Sequence, residues 1–418
     1  MKFFLFFFLL FVFSFSFIAA QEMNLLDLDF DLLDSIFDEP AEEISAKEEK
    51  PVEAEPPLIR NLRRRGLEVS ASYDFTGGIN PGWEVYPWEL SGEDHFSWAI
   101  GVKMGSSIGI NAQISQYFRV SSGISYEMPG FNFVLGDFFF DYNFFDKVFL
   151  RAGKYEQGWG ISRNFGFTNL LSRVPAAGPA GPSYLIKFDV PLGIGGLQLL
   201  SMTRTNMAGG AIPTRDTIGY GGKYNLAYRW ADFDLGFYYQ KEMPFRSFLA
   251  IKTTVWDTEL YNEWLIALDD GASLAFDFGF MKSFFENKLE VNGEFFYNGE
   301  GYSYFYRPES DFREEGVSPF LQGVNIAFNL LYRFDTKGSP RFYTRLLYTA
   351  REESLSLVPG FRFTPFSNIN VYFAVPMALG NKEGFYYQDS RNIKNEIRPL
   401  SVILSVTFSG SVQAGYYY

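Results

Sequence analysis

The chemistry available to this chain is limited first by the residues that it lacks. Its 418 residues include a single histidine, His95, and no cysteine. A Ser-His-Asp site would have to use His95, and disulfides and thiolate metal sites are excluded. The sequence contains neither a Gly-rich phosphate loop nor a spaced cluster of metal ligands. We therefore expect no enzymatic activity, no bound metal and no cofactor.

Arginine is the residue type whose spacing suggests a function. In the second half of the chain, arginines recur in segments where apolar and polar residues alternate, so each would lie on one defined face of a strand. These candidates for a basic wall are Arg333, Arg341, Arg345, Arg351 and Arg362, with Arg151 and Lys154 adding to the same field from earlier strands. A row of cations lining a pore favours anions. Arg345 is the central candidate because it is predicted to lie in the middle of its strand.

Acidic residues on the same faces offer a second interpretation of these arginines. Asp277, Glu290 and Glu294 are predicted to face the same interior. They could form structural ion pairs with the arginines, which would leave little net field. The sequence alone leaves both possibilities open.

A long connection at 156–183 is the second candidate site. It is rich in Gly and Pro, and it ends in the run 174–182, Val-Pro-Ala-Ala-Gly-Pro-Ala-Gly-Pro. This composition is too apolar for a floppy surface loop, so we predict a constriction loop folded into the mouth of a barrel, with Arg163 and Arg173 reaching the pore. An ordinary external loop is the alternative.

The elements that must position these residues are β-strands, because the dominant pattern has a period of two. Apolar and polar residues alternate in 67–75 and 96–105, and again in 324–334, 369–375 and 400–408. Segments of about 9–11 residues suit a tilted crossing of a bilayer. Aromatic residues make up 19% of the chain, and membrane barrels use them in girdles at both interfaces.

We therefore predict an all-β fold, a transmembrane antiparallel β-barrel of about 16 strands, within a range of 14–18. Long connections such as 299–320 alternate with short ones such as 335–340, as in outer-membrane barrels with short periplasmic turns and long external loops. The alternation weakens at 131–145 and 245–268, so strand boundaries are undecided there. The barrel is assigned to 61–418.

The N-terminus has the pattern of an export signal followed by an acidic leader. Residues 1–20 combine a basic start, an apolar run and two final alanines, which is typical of a secretory signal peptide. Residues 21–60 form a periplasmic leader and linker. Thirteen acidic residues and two lysines lie in 21–57, whereas 58–418 carries a charge of only about −3, which argues against nucleic-acid binding.

The leader itself has two parts. Residues 41–57 are rich in Glu, Ala, Lys and Pro, a composition typical of disordered chain. Residues 23–37 contain many apolar side chains and favour a short amphipathic helix that docks on a periplasmic partner. A weakly structured tail is the alternative.

Two segments resemble bacterial outer-membrane porins. Leu400–Phe408 resembles their closing strand, which ends in an aromatic residue and is read by the barrel-assembly machinery. The chain continues to Tyr418, so either a tail follows that strand or 410–418 is itself the terminal strand. Residues 150–160, Leu-Arg-Ala-Gly-Lys-Tyr-Glu-Gln-Gly-Trp-Gly, resemble the strand-then-loop segment of several porin families. The short basic start and Phe-rich signal resemble those of spirochaete exported proteins.

The resemblance implies an outer-membrane location, with outer-membrane lipids, the assembly machinery and small solutes as partners. The predicted function is a passive diffusion pore, anion-preferring if the arginine wall is present. One alternative is a transporter for hydrophobic compounds, plugged by 156–182. Another is a surface adhesin or interaction barrel that presents 77–94, 299–320 and 377–398. The solute and the oligomeric state, a homo-oligomer included, stay open.

Overall fold

The computed structural model places most of the chain after residue 65. It describes residues 66–83, 96–128, 132–165, 170–171, 180–203, 212–241, 243–268, 271–299, 323–334, 340–382, 384, 386 and 398–417. The predicted signal peptide, the leader and Arg173 lie outside the described residues, so their assignments stay predictions.

The described residues form one antiparallel sheet of twenty strand segments. The first ten are β1 (Gly66–Trp83), β2 (Phe96–Ser115), β3 (Phe118–Met128), β4 (Asn132–Phe144), β5 (Val148–Gln157), β6 (Ala180–Leu192), β7 (Gly195–Thr203), β8 (Ile218–Tyr228), β9 (Ala231–Gln240) and β10 (Phe245–Val255). The others are β11 (Thr258–Leu268), β12 (Ala272–Phe284), β13 (Leu289–Asn298), β14 (Gly323–Arg333), β15 (Arg341–Thr349), β16 (Ser354–Phe366), β17 (Ile369–Ala374), β18 (Met377–Gly380), β19 (Leu400–Ser401) and β20 (Ile403–Tyr417).

The sheet closes on itself as a barrel. From β1 to β17 each strand pairs with the next, and β20 pairs with β17 and with β1, in a register that includes Phe75↔Phe408. β17 and β18 both pair with β16, and Pro376 between them has no N–H to donate. They form one interrupted strand, as do β19 and β20, which both pair with β1. The barrel therefore has 18 strands, so the expected number of about 16 is too low.

The missing strands come from segments whose two faces are both apolar. On β10, Phe248 and Ala250 point inward and are buried, while Leu249 points outward. On β4, Phe139 points inward between Phe138 and Phe140. A strand that is apolar on both faces loses the period of two, so alternation alone could not mark its boundaries.

The turns distinguish the two ends of the barrel. The turns at one end are short, and several have residues with positive φ, such as Asp146 (59°), Asp257 (56°) and Asn287 (63°). Gly66 pairs with Tyr417 at this same end. β20 runs through Phe408 to Tyr417, so the terminal strand includes both segments that the sequence left as alternatives.

The outer face of the barrel is apolar and exposed, and the core lies inside it. Trp98, Phe278 and Leu404 point outward, with 66%, 48% and 39% of their surface exposed. This arrangement suits a lipid environment, because closed barrels satisfy every backbone polar group within the wall. Within the described residues, no helix has the length and apolarity needed to cross a bilayer.

Candidate functional site: the barrel lumen

The connection after β5 turns back into the barrel. In its described residues, 158–165 and 170–171, the side chains of Trp159, Phe165, Leu170 and Leu171 are at most 4% exposed. They pack against inward residues of the wall, which include Leu185, Leu200, Met202, Tyr238, Phe248, Leu265, Phe296 and Ala327. We call residues 158–165 and 170–171 the lumen loop. The apolar side chains of the loop and of the wall are removed from water when they pack together, and this burial stabilises the loop inside the barrel.

Two aromatic contacts hold the lumen loop against the wall of the barrel. The Trp159 ring lies 6.0 Å from that of Phe248, and its Nε1 donates to Gln198 Oε1 at 2.6 Å. The Phe165 ring stacks on Phe296 at 5.2 Å. Gly221 on β8 makes room for the indole, since a Cβ there would come within 2.7 Å of Trp159.

Glu294 on β13 is the main polar anchor of the lumen loop. Its carboxylate accepts hydrogen bonds from the Ser162 hydroxyl at 2.8 Å and from the Asn164 backbone N–H at 2.8 Å. The backbone N–H groups of Arg163 and Phe165 donate to it at 3.3 Å. Each oxygen of a carboxyl group can accept more than one hydrogen bond. Glu294 therefore replaces the water that would otherwise solvate this backbone.

An amide network surrounds this anchor. Asn164 Nδ2 donates to Asn292 Oδ1 at 2.7 Å and to Glu294 at 2.7 Å. Asn329 Nδ2 donates to Asn164 Oδ1 at 2.6 Å. The Tyr261 hydroxyl donates to Glu294 at 3.2 Å and accepts from Asn292. Loop and wall are therefore joined by side chains from β11, β13 and β14.

Further acidic residues line the same wall. Glu263 and Asp277 are register partners on β11 and β12, and both are fully buried. Glu263 Oε1 accepts from the Ile161 backbone N–H at 2.5 Å. Two acidic wall residues thus bind the backbone of the lumen loop, Glu263 at Ile161 and Glu294 at Asn164. The described residues contain no group of three or more His, Cys, Asp or Glu arranged to hold a metal ion.

The structure places Arg163 in the lumen, in contact with the wall. Its guanidinium bonds Glu259 at 2.9 Å, and Lys252 bonds the same carboxylate at 3.0 Å. Part of the positive charge of Arg163 is therefore balanced by Glu259. The sequence suggested that Glu290 and Glu294 would pair with arginines, and Glu290 does so with Arg333 at 2.5 Å, whereas Glu294 binds the lumen loop.

Three arginines form a row at the short-turn end. Arg333, Arg341 and Arg362 are successive register partners across β14, β15 and β16. The Arg362 guanidinium also lies 5.1 Å above the Tyr372 ring. Within the described residues, Glu290 pairs with Arg333 at one end of this row.

Arg345 lies four residues further along β15, on the same inward face as Arg341. Its register partners are Asn329 and Val358. Its buried Nε has no hydrogen-bond partner among the described residues, and its electrostatic interactions include Glu294. It therefore lies beside the lumen loop, between the anchoring network and the remaining interior.

Arg151 faces inward, but it belongs to an ion-pair cluster. Its Nε lies 2.7 Å from Asp141, which also pairs with Arg119. Its guanidinium covers the Phe139 ring at 4.5 Å. Arg151 is thus largely a structural residue in this arrangement.

The structure contradicts two of the sequence predictions for pore-lining residues. Lys154 is the register partner of Phe138 and Tyr184, so it points outward, whereas Arg151 points inward. Its amino group donates a hydrogen bond to the Leu135 carbonyl. β15 ends at Thr349, and Arg351 lies in the exposed turn that follows it. The alternation of inward and outward residues along β15 therefore does not extend to Arg351. Neither residue lies on the inner face of a strand.

Sequence reasoning missed most of the anchoring residues. Asn164, Asn292 and Asn329 were not singled out as site residues, and Trp159 was noted only within a porin-like motif. Amides and acids at inward positions of consecutive strands were a usable signal for the wall. Their partner was not readable, since Asn164 and Glu294 are 130 positions apart.

Comparisons with solved structures support the fold. Pseudomonas aeruginosa OpdQ superposes with a TM-score of 0.53 at 10% identity, over 83% of this chain and 98% of that one. Pseudomonas aeruginosa OccK11 (OpdR) gives 0.54 at 9%, over 84% and 99%. A BenF-like porin from Pseudomonas fluorescens Pf-5 gives 0.51 at 9%, over 82% and 99%.

At such low identity, these similarities show the fold alone, which is that of a porin barrel. No family model matches the chain, and no curated protein matches it. The similar structures named here come from Pseudomonas and give no support to a spirochaete-like source.

Proposed function

We propose that this chain is a diffusion pore of a bacterial outer membrane, through which small solutes pass beside the lumen loop. The observation that carries the proposal is the closed 18-stranded barrel with a connection folded inside it. Barrels of 16–18 strands are wide enough for an aqueous channel, which an inward loop then narrows. Export by the signal peptide and assembly by the barrel-assembly machinery belong to this proposal.

We further propose that the pore prefers anions. The row Arg333, Arg341 and Arg362 and the more central Arg345 support this, because a lumen lined with cations concentrates anions. The preference should weaken as salt rises, since the Debye length falls to about 3 Å at 1 M. Glu259 and Glu290 balance part of the charge of Arg163 and Arg333, and Glu294 interacts with Arg345. Arg345 is expected to matter most because it is the candidate nearest the middle of its strand.

Single-channel recording in a planar bilayer under a salt gradient tests both the pore and its anion preference. The refolded protein should give stable current steps with a reversal potential of anionic sign. Arg345→Ala should move that potential toward zero. The matched control is Lys154→Ala, which removes a cation from the outward face and should leave selectivity unchanged.

Other outcomes would separate the two proposals. Steps with cationic preference would retain the pore and reject the arginine account. A folded barrel without conductance would reject the pore.

A transporter for hydrophobic compounds is the second candidate, and one observation favours it. The lumen loop and the inward residues of the wall form an extensive apolar cluster inside the barrel. If this cluster blocks the aqueous path, a folded protein should conduct no ions but should speed the entry of an apolar dye into vesicles. The adhesin alternative rests largely on connections outside the described residues.

A further inference from the structure

The terminal strand extends beyond the strand that flanks it. β17 pairs with β20 only as far as Ile369↔Phe408, and the Ser409 N–H donates to the Asn368 carbonyl. From Gly410 to Gly415, β20 pairs with β1 alone within the part of the chain that the structure describes. Among the strands that the structure describes, none covers the second backbone edge of 410–415 at the short-turn end, although barrel closure normally removes such edges.

The surroundings of this edge make an open strand unfavourable. Its outward neighbours are apolar and exposed, with Val412 at 69%, Ile108 at 57% and Val69 at 38%. Such a face suits hydrocarbon, where an unsatisfied backbone polar group costs several kcal/mol. The inward neighbours are polar, with Ser411 and Gln413 on β20 itself. A strand that covered this edge would need one apolar and one polar face.

The leader contains a segment with this pattern. Residues 26–32 read Leu-Asp-Leu-Asp-Phe-Asp-Leu, so even positions are apolar and odd positions are acidic. In a strand, the even positions would point to lipid and the three aspartates to water. We propose that residues 26–32 add as a strand to the open edge of β20 at 410–415. The amphipathic helix that residues 23–37 also favour is the competing structure.

The leader can reach this edge because its C-terminal end leads into β1 beside it. Gly66 is the register partner of Tyr417, so the chain enters the barrel on the neighbour of β20, two strand spacings from a strand added to the open edge. The 33 residues from 33 to 65 have a typical end-to-end distance of roughly 30 Å as flexible chain. Two spacings are about 10 Å. Tethering raises the effective concentration of this strand above that of any free competitor.

Cysteine cross-linking of the full-length protein tests the proposal, and the chain has no native cysteine to interfere. Val412→Cys, which points outward, is combined with single cysteines at each position from 26 to 32, and so is Gln413→Cys, which points inward. Oxidation should link Val412→Cys only to even positions and Gln413→Cys only to odd ones. The matched control is Val406→Cys, which also points outward but has β17 and β1 on its two sides. It should form no link.

Each remaining outcome overturns the proposal. Links spaced three or four residues apart would indicate a docked helix. A product of twice the mass would indicate that a second copy occupies the edge, and the absence of links in a folded barrel would leave the leader elsewhere. The double variant Phe30→Pro and Asp31→Pro serves as a second test, because one of two neighbouring strand residues must direct its N–H toward β20. It should abolish the links while heat-modifiable gel migration still reports a folded barrel.

Discussion

Two walls of the same barrel differ in what they face. β10 to β14 carry large or acidic inward residues that are buried, such as Phe248, Tyr261 and Glu294. β20 and β1 to β3 carry small polar ones, such as Ser72 and Ser411, which are exposed. We call these the packed wall and the open wall. In both walls, alternate residues are apolar and point outward. The two walls therefore share an apolar outer face and differ only in their inner faces.

The difference shows that the lumen loop divides the interior. The loop binds the packed wall through apolar contacts and the carboxylates of Glu263 and Glu294. Any aqueous path is thereby shifted to the open wall. Arg345 lies on β15, the strand that follows the last strand of the packed wall. If the pore is anion-preferring as proposed, this boundary is where its charge should act.

The largest expected effect comes from removing the loop that separates the two walls. Replacing residues 159–178 by a short Gly-Ser linker should raise single-channel conductance several-fold, because the packed wall would then also line water. Heat-modifiable migration on gels confirms that the barrel still forms. Unchanged conductance in a folded variant would mean that the loop does not limit the path.

A smaller effect is expected when the loop is kept but its polar anchor is removed. Glu294→Ala leaves the N–H groups of residues 163–165 without their acceptor, at a cost of about 1–3 kcal/mol for each buried donor left unsatisfied. We expect larger and noisier current steps as the loop leaves the wall. Glu290→Ala is the matched control. It removes a carboxylate from the same strand, but that carboxylate binds Arg333 and not the lumen loop. Equal current noise in both variants would contradict the assignment.

The smallest effect concerns packing on the two faces of the barrel. Phe248→Ala deletes a ring that is 1% exposed and contacts Trp159, so it should destabilise the protein by about 3–5 kcal/mol. Phe278→Ala removes an outward ring and should cost less, because lipid can fill the space. Unfolding by denaturant in detergent, followed on gels, compares the two. A greater loss for Phe278→Ala would show that the inner cluster contributes little.

The sequence predicted the features that depend on local pattern. Alternation identified the barrel and the inward parity of Arg333, Arg341, Arg345 and Arg362, because neighbouring residues of a strand must face opposite sides. The same rule failed where its assumptions failed. Arg351 lies beyond the end of its strand, and Lys154 is an outward cation in a wall where apolar residues were expected.

Long-range contacts were beyond what pattern alone could give. The apolar composition of 156–183 suggested an inward loop, but the partners of that loop lie far away in the chain, as Ile161 and Glu263 do. The strand number was underestimated for the same reason. The lumen loop packs against apolar inward residues such as Phe248 on β10 and Leu265 on β11, and apolar residues at inward positions weaken the alternation that marks a strand.

The most direct test of the central claim is to block the current with a thiol reagent from each wall in turn. Ser72→Cys places a thiol on the open wall, and Ala275→Cys places one on the packed wall, where the side chain is fully buried. A charged methanethiosulfonate added during single-channel recording should reduce the current of Ser72→Cys and leave that of Ala275→Cys unchanged. Block of Ala275→Cys alone, or no current from either folded variant, would contradict the account.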